Sequence, residues 1–373
     1  MSHTSDGLVP DARRIGVLRA NSLGDYLFLG PALDALRAAY PAAEIVLLGA
    51  PWHARALAGR PGPPDRVVVV PPRPGIRERQ ADEPAPPDAL LAAARAERFD
   101  VLVQAHGGGG NSNPLVREIG ARVTAGLRAD GAPALDRWVR YQHYQPEVFR
   151  YLEAVRLVGA APVTVEPRFP VTAEDRAEAT GVAGEPARPR VALHPGANDP
   201  RRRWPPDRFA AVGDTVAGAG FDVVVTGTAA ERDLAAAVRA TMRHPARDLS
   251  GRLSLGGLAA LLAGCALVVA NDTGPLHLAA AVGTPTVGVY WIGNLVNCAP
   301  AIRARHRPIA SWTVHCPVCG ADGTPDLYPA RGGRRCDHRV SFVADVPVVE
   351  VVAAVRDLLA EGAGNAFSAG RGR

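Results

Sequence analysis

Apolar and polar positions along this 373-residue chain fall into two alternating patterns. Short apolar runs at residues 15–19, 44–48, 66–70 and 100–104 read as strands, and a helical pattern follows the first of them, entered through the loop 20–25 and running to residue 39. The fourth run ends in the glycine stretch 107–110. The pattern restarts in the second half. Strands are predicted at 191–194, 222–226, 266–270 and 285–290, and helices from about 206, from 230, over 275–282 and over 348–360. Such alternation predicts α/β domains with parallel, doubly wound sheets. Residues 71–87, rich in proline and charge, read as a loop or flap. Residues 172–190 begin helical and end in Gly-Glu-Pro-Ala-Arg-Pro-Arg, which reads as an interdomain linker. The expected architecture is two Rossmann-like domains, 1–175 and 176–373, facing a central cleft, with ligands beyond the carboxyl ends of the strands.

Composition adds limits. Apolar residues make up 47% and charged residues 21%, enough for two real cores. The net charge of +5 comes from scattered arginines rather than a basic arm. It suits an anionic small molecule, or peripheral contact with an anionic membrane surface. No nucleic-acid module is visible, so nucleic acid is not an expected partner. No run approaches the ~18 apolar residues of a membrane span, and residues 1–11 lack an apolar signal core. A cytoplasmic protein, membrane-peripheral at most, is expected.

Four predicted loops at strand ends carry candidate chemistry. In Arg19-Ala20-Asn21-Ser22-Leu23-Gly24-Asp25, Asp25 is either a helix cap, worth about 1 kcal/mol, or a general base for an acceptor hydroxyl. The loop 194–205 holds Asn198 and three consecutive arginines, Arg201, Arg202 and Arg203, before a helix start. It reads as an anion site or as a solvated basic turn. In Thr226-Gly227-Thr228-Ala229-Ala230-Glu231, Gly227 would admit a nucleotide and Glu231 would accept from a ribose, although the motif is weak alone. In Asn271-Asp272-Thr273-Gly274-Pro275-Leu276-His277, Pro275 suits a first helical turn. The amides there would face phosphates and Asp272 a sugar hydroxyl, while His277 is either a ligand contact or a structural histidine.

Taken in order, Leu-Gly-Asp, His-Pro-Gly-Ala with Arg-Arg-Trp-Pro, Gly-x-x-x-Glu, Asn-Asp-Thr-Gly-Pro-x-His-x-Ala-Ala and Gly-x-Pro-x-Val resemble glycosyltransferase family 9, the heptosyltransferases of lipopolysaccharide core assembly. The resemblance runs from about residue 14 to 290 and implies a GT-B fold, no catalytic cofactor or metal, inversion at the anomeric carbon and ADP-heptose as donor. It implies Asp25 as base, Thr273 and Gly274 at the donor phosphates, Asp272 at the sugar and Glu231 at the nucleoside. Arg202 stands where the family usually has lysine, and the two differ in reach and hydration, so the donor is left open. The expected function is inverting transfer of a heptose to a hydroxyl of a glycan, glycolipid or small molecule. The alternatives are another nucleotide sugar, or a nucleotide-sugar-binding protein without turnover. An aspartic protease is disfavoured, because the chain has one Asp-Thr-Gly and an α/β pattern.

Four late cysteines, Cys298, Cys316, Cys319 and Cys336, include a Cys-x-x-Cys, and Cys336-Asp337-His338 adds a histidine. Structural zinc, free thiols and disulfides all stay open, although a cytoplasmic setting disfavours disulfides. Cys265, in an apolar run, reads as core.

Overall fold

The computed structural model describes residues 7–79, 86–322 and 336–369, with 363–369 described by backbone only. The chain divides into two compact units, Met1–Pro170 and Val171–Arg373.

The first unit is a six-stranded parallel sheet of β1 (Arg14–Leu18), β2 (Glu44–Gly49), β3 (Arg66–Val69), β4 (Phe99–Gln104), β5 (Ala121–Arg128) and β6 (Arg137–Arg140). Its helices are α1 (Leu23–Ala39), α2 (Pro51–Leu57), α3 (Pro87–Ala96), α4 (Ser112–Ile119) and α5 (Glu147–Arg156). The strand order is β3-β2-β1-β4-β5-β6, the doubly wound order of dinucleotide-binding domains, whose winding reverses between β1 and β4. Ile15, Val17, Val101 and Val103 are completely buried, as strands covered on both faces require. Gly16 is needed for this packing, since a Cβ there would meet Leu102 Cδ1 at 2.7 Å.

The four predicted strands start and end within a residue of β1 to β4. β5 and β6 were not predicted, because β6 at the sheet edge alternates half-buried and exposed residues and carries no apolar run. The expected loop 71–87 is more ordered than its composition implies. Arg73 and Arg77 pair across a tight turn, Ile76 is buried, and Arg77 Nε donates to the Val70 carbonyl at 2.6 Å. Residues 80–85 of that stretch lie outside the described residues.

The second unit repeats the design with β7 (Arg190–His194), β8 (Asp222–Val225), β9 (Ala246–Asp248), β10 (Cys265–Asn271), β11 (Thr286–Trp291) and β12 (His306–Ser311), ordered β12-β11-β10-β7-β8-β9 and all parallel. Its helices are α6 (Ala173–Ala183), α7 (Pro206–Gly218), α8 (Arg232–Thr241), α9 (Leu255–Ala263), α10 (Gly274–Ala281), α11 (Ile292–Cys298) and α12 (Val348–Ala369). Trp204, Phe209, Val269, Val289 and Val355 share one core.

The helical start expected in residues 172–190 is α6, begun by a reciprocal Thr172–Asp175 cap and packed on α9, where Glu178 accepts from the Ser254 amide at 2.6 Å. One expectation is corrected: the helix expected from residue 230 opens as a 3-10 turn, Ala229–Glu231, and continues as α8 from Arg232. No helix among the described residues is long and apolar enough to cross a membrane.

Candidate active site

In the first unit, Leu18 pairs with Gln104, so the loops after β1 and β4 leave the sheet side by side at the point where its winding reverses. Ser22 caps α1, and Asp25 sits at its third position rather than at the cap. Asp25 Oδ2 accepts from Ser22 Oγ at 2.8 Å and from the Ser22 amide at 3.3 Å. Its Oδ1 accepts from Arg19 Nη2 at 2.5 Å. Burial alone would raise the Asp25 pKa, but the Arg19 guanidinium and the Ser22 hydrogen bonds outweigh it and hold the carboxyl below its ordinary value. Asp25 is therefore both part of the helix start and an ionised, partly accessible carboxylate, its side chain 27% exposed.

Arg19 is buried, donates to the Ala105 carbonyl at 3.0 Å, lies 3.7 Å from Glu147 and stands 4.9 Å over the Tyr151 ring. Glu147 in turn accepts from Arg150 and Tyr151. α5 thus supplies a counter-charged support behind the Arg19–Asp25 pair. His106 accepts from the Ala20 amide through Nδ1, so its Nε2–H is the group that meets the Gly75 carbonyl at 3.0 Å. Burial, aided by Arg19, pushes its pKa down to about 4, which leaves a neutral ring at pH 7. Buried Gln104 ties the glycine loop: its amide donates to the His106 and Gly107 carbonyls and to Ser112 Oγ. Gly109 is obligatory there, with φ +89° and Asn113 Nδ2 only 2.4 Å from where a Cβ would sit.

These groups surround a cavity of about 390 Å³ whose lining includes Arg19, Asp25, His106, Gly108, Tyr141 and Arg150. A second hollow of about 680 Å³, formed by residues 72–79 with Asn21 and His106, adjoins it through shared residues. The glycine run 107–110 and the turn 72–79 line these cavities. His143 serves through its carbonyl, which accepts from Arg150 Nη2 at 2.9 Å. Sequence reasoning missed Glu147, Arg150 and Tyr151. Their spacing along one helix, i, i+3 and i+4, puts them on one face, but nothing local shows that this face meets Asp25.

In the second unit, Ala270 pairs with His194, so the arginine loop and the Asn271–Thr273 turn also emerge together. Asn271 joins them. Its Oδ1 accepts from the Trp204 amide at 2.9 Å and its Nδ2 donates to the Pro195 carbonyl at 2.8 Å. Asp272 is almost fully buried. Its carboxylate meets His277 Nε2 at 3.0 Å, Asn294 Nδ2 at 2.8 Å and Arg202 Nη1 at 3.4 Å. Burial opposes ionisation of Asp272, but His277, Arg202 and Asn294 prevail and keep its pKa low. His277 is engaged with Asp272 within the protein, and Asn294 is a member of the network that the sequence did not reveal.

The three arginines separate in role. Arg201 chelates Asp199, with Nη2 at 2.7 Å; Arg202 reaches Asp272; Arg203 Nε donates to the Ala197 carbonyl at 2.8 Å. Asn198 is exposed beside them. Glu231 Oε2 accepts from the Thr228 amide at 2.8 Å. The same carboxylate overhangs Gly196, where a Cβ would meet Oε1 at 2.2 Å, and Gly227, where a Cβ would lie 3.3 Å from Glu231 Cβ. At α10, Thr273 is the cap and Pro275 has no N–H. Leu276 and His277 donate to the Thr273 carbonyl. Among the described residues, the amides not spent in this turn are those of Thr273 and Gly274, both half-buried.

None of the late cysteines is joined in a disulfide. Cys265 is buried as expected, and burial raises its pKa to about 12. Cys316, Cys319, Cys336 and His338 converge, with one ligand atom from each within 4.8 Å of the others, a grouping that could hold a metal ion. The fourth member is His338 and not Cys298, which ends α11 and is absent from the group.

The family model described as glycosyltransferase family 9 (heptosyltransferase) matches residues 89–312, more than half of the chain. The chain is 31% identical over 134 residues to lipooligosaccharide heptosyltransferase 2 of Haemophilus influenzae, covering 34% of this chain and 38% of that protein. The alignments to this and the next two curated relatives span only about a third of those proteins' length. In fold, the chain resembles a family 9 glycosyltransferase of Veillonella parvula (TM-score 0.74, 20% identity, 94% of this chain and 97% of that one). It also resembles the ADP-heptose lipopolysaccharide heptosyltransferase II of E. coli (TM-score 0.68, 20% identity, 94% and 99%). These likenesses show the GT-B fold, with two Rossmann-like domains. With the fold, the motif loops and the match over residues 89–312 in agreement, the chain belongs to glycosyltransferase family 9.

Proposed function

We propose that this protein is an inverting glycosyltransferase that moves a heptose from ADP-heptose to a hydroxyl of a glycan or glycolipid acceptor of the cell envelope. The observation that carries the reading is Asp25, an ionised and partly exposed carboxylate held by Arg19 and Ser22 at the mouth of a polar cavity. In the reaction the acceptor oxygen attacks the anomeric carbon. The bond from that carbon to the phosphate oxygen breaks, ADP departs with the bonding pair, and the acceptor proton passes to Asp25. A carboxylate of low pKa is a weak base, yet it suffices. The attacking oxygen becomes strongly acidic as its bond to carbon forms, so the proton moves late.

In this reading the donor lies at the second unit's motif loops. The Thr273 and Gly274 amides and the arginine loop meet the diphosphate, where charge grows as the bond breaks. Glu231, Gly227, Gly196 and Asn198 flank the nucleoside. Asp272 acts as a buried hub that positions Arg202, His277 and Asn294, with sugar contact made through this network. The mechanism invokes no metal. The relatives' names point to a lipopolysaccharide-type acceptor. With the net charge of +5, they support action on the cytoplasmic side of the inner membrane with peripheral contact.

A thermal-shift panel of ADP-heptose, ADP, UDP- and GDP-sugars, followed by a transfer assay, tests the proposal. Stabilisation by ADP and ADP-heptose is expected. Stabilisation by UDP- or GDP-sugars alone would remove the heptose assignment.

A further inference from the structure

Between β12 and α12, Cys316, Ala321, Phe342, Val343 and Val346 anchor the chain in the core of the second unit, while Trp312 and Val318 are 72% and 58% exposed. The donor atoms gathered beside the 316–320 turn supply the means for a metal staple at this place. The Cys316 amide donates to the Ala321 carbonyl and the Gly320 amide to the Cys316 carbonyl, both at 2.8 Å, with Gly320 at φ +68°, so the Cys-x-x-Cys is folded into a tight turn. Cys336 Sγ then lies 3.5 Å from Cys319 Sγ and 3.2 Å from His338 Nδ1. With metal–sulfur bonds of about 2.3 Å and metal–nitrogen bonds of about 2.0 Å, a tetrahedral ion has ligand–ligand edges of roughly 3.5–3.8 Å, so this donor set fits zinc after small adjustments.

The chain just beyond the cluster gives it a second meaning. Three residues past His338, Ser341 Oγ donates to the Arg203 carbonyl at 2.6 Å, and the Phe342 amide donates to the Arg201 carbonyl at 2.7 Å. The Val346 carbonyl accepts from Trp204 Nε1 at 3.0 Å. The backbone on both sides of Arg202 is thus clamped by the strand of chain that the cysteine cluster fixes at its start. On the other flank, Trp291 Nε1 donates to the Thr313 carbonyl at 2.8 Å, three residues before Cys316.

We propose that Cys316, Cys319, Cys336 and His338 bind one Zn²⁺ in a closed four-coordinate site, and that this ion, far from being a mere fold staple, buttresses the arginine loop and so sets affinity for the nucleotide diphosphate. On binding, the three thiols release their protons to solvent as they become thiolates. The ion touches neither donor nor acceptor, and its effect passes through residues 341–346. The last part rests on the donor assignment proposed above.

The test uses the full chain. Metal content is measured by mass spectrometry, ADP binding by calorimetry, and amide hydrogen exchange over 199–204, each before chelation, after it, and after Zn²⁺ is restored. One zinc per chain is expected in the wild type and in C298S, with loss in C336S and H338A. Removal should speed exchange over 199–204 and weaken ADP binding about tenfold, the cost of ordering two arginine side chains at binding, with Zn²⁺ restoring both. A wild-type chain that takes up no zinc overturns the site. Zinc removal that leaves exchange over 199–204 unchanged overturns the buttress. Failure of the zinc-loaded chain to bind ADP would count against the donor assignment instead, and the exchange readout would still decide the buttress.

Discussion

Replacing Asp25 by Asn is the sharpest perturbation the site allows. The side chain keeps its size, and an amide oxygen can still accept from Ser22. The negative charge 2.5 Å from Arg19 is lost. Loss of a positioned proton acceptor costs about 10²–10⁴ in rate, equivalent to roughly 3–5 kcal/mol of barrier. The fold is weakened separately, because Arg19 is 4% exposed and stripping a buried ion of its partner costs about 3–5 kcal/mol when nothing replaces it. Here Glu147 at 3.7 Å and the Ala105 carbonyl at 3.0 Å stay in place, so the loss should fall at or below the lower end of that range. The assay is steady-state ADP release under saturating donor, with ADP binding and the melting temperature measured on the same preparation. D25N should bind ADP as the wild type does, melt several degrees lower and turn over at least about a hundredfold more slowly. The pH profile adds an independent check. Against the effect of burial, Arg19 and Ser22 hold the Asp25 carboxyl below its ordinary pKa, so the acid limb of wild-type kcat/KM should lie below the range of an unperturbed aspartate. S22A, which removes one donor to the carboxylate, should move that limb upward. A folded D25N enzyme with turnover within a few-fold of wild type would refute the reasoning and leave Asp25 as a helix-start residue paired with Arg19.

Three other parts of the molecule can be probed in the same way. N271A leaves the buried Trp204 amide and the Pro195 carbonyl without their partner, which should cost about 2–3 kcal/mol in urea denaturation and weaken ADP binding; unchanged stability would show that the two loops are held otherwise. G196A places a methyl 2.2 Å from Glu231 Oε1, the far end of a flexible side chain, so its melting temperature should barely change while ADP affinity falls; equal affinity would remove Glu231 from the nucleoside site. Burial opposes ionisation of Asp214, but the His244 and Arg243 amides and side chains lower its pKa to about 2, against 3.8 when unperturbed. A depressed carboxyl stabilises above its unfolded pKa, so D214N should lose about 2 kcal/mol at pH 7, and the gap to wild type should close as pH falls from about 4 towards 2; a gap independent of pH would show that charge is not the cause.

The residues legible in the sequence are those whose chemistry is local. Asp25, Arg202, Glu231 and Asp272 each stand one short loop beyond an apolar strand, and parallel winding alone sends such loops to one end of a sheet. Strand ends are therefore readable as site positions before any contact is known. What stayed hidden is whatever depends on a distant segment. Glu147 and Tyr151 lie more than a hundred residues from Arg19, yet they flank the guanidinium that pairs with Asp25. His338 rather than Cys298 completes the cysteine group, and spacing could not choose between them, because a cysteine far upstream and a histidine two residues downstream are equally compatible with a tetrahedral ion. The same limit applies to Asp272. The sequence offers a carboxylate in a donor motif, but only the folded chain shows both its oxygens taken up by His277, Asn294 and Arg202. A carboxylate spent this way holds other donors in place, and on the donor assignment proposed above it keeps Arg202 oriented while its other nitrogens face the diphosphate. The Arg-for-Lys departure at position 202 then acquires a physical sense: the planar fork can hold Asp272 and an incoming phosphate oxygen at once, where an ammonium on a flexible stem would be less well preorganised for both.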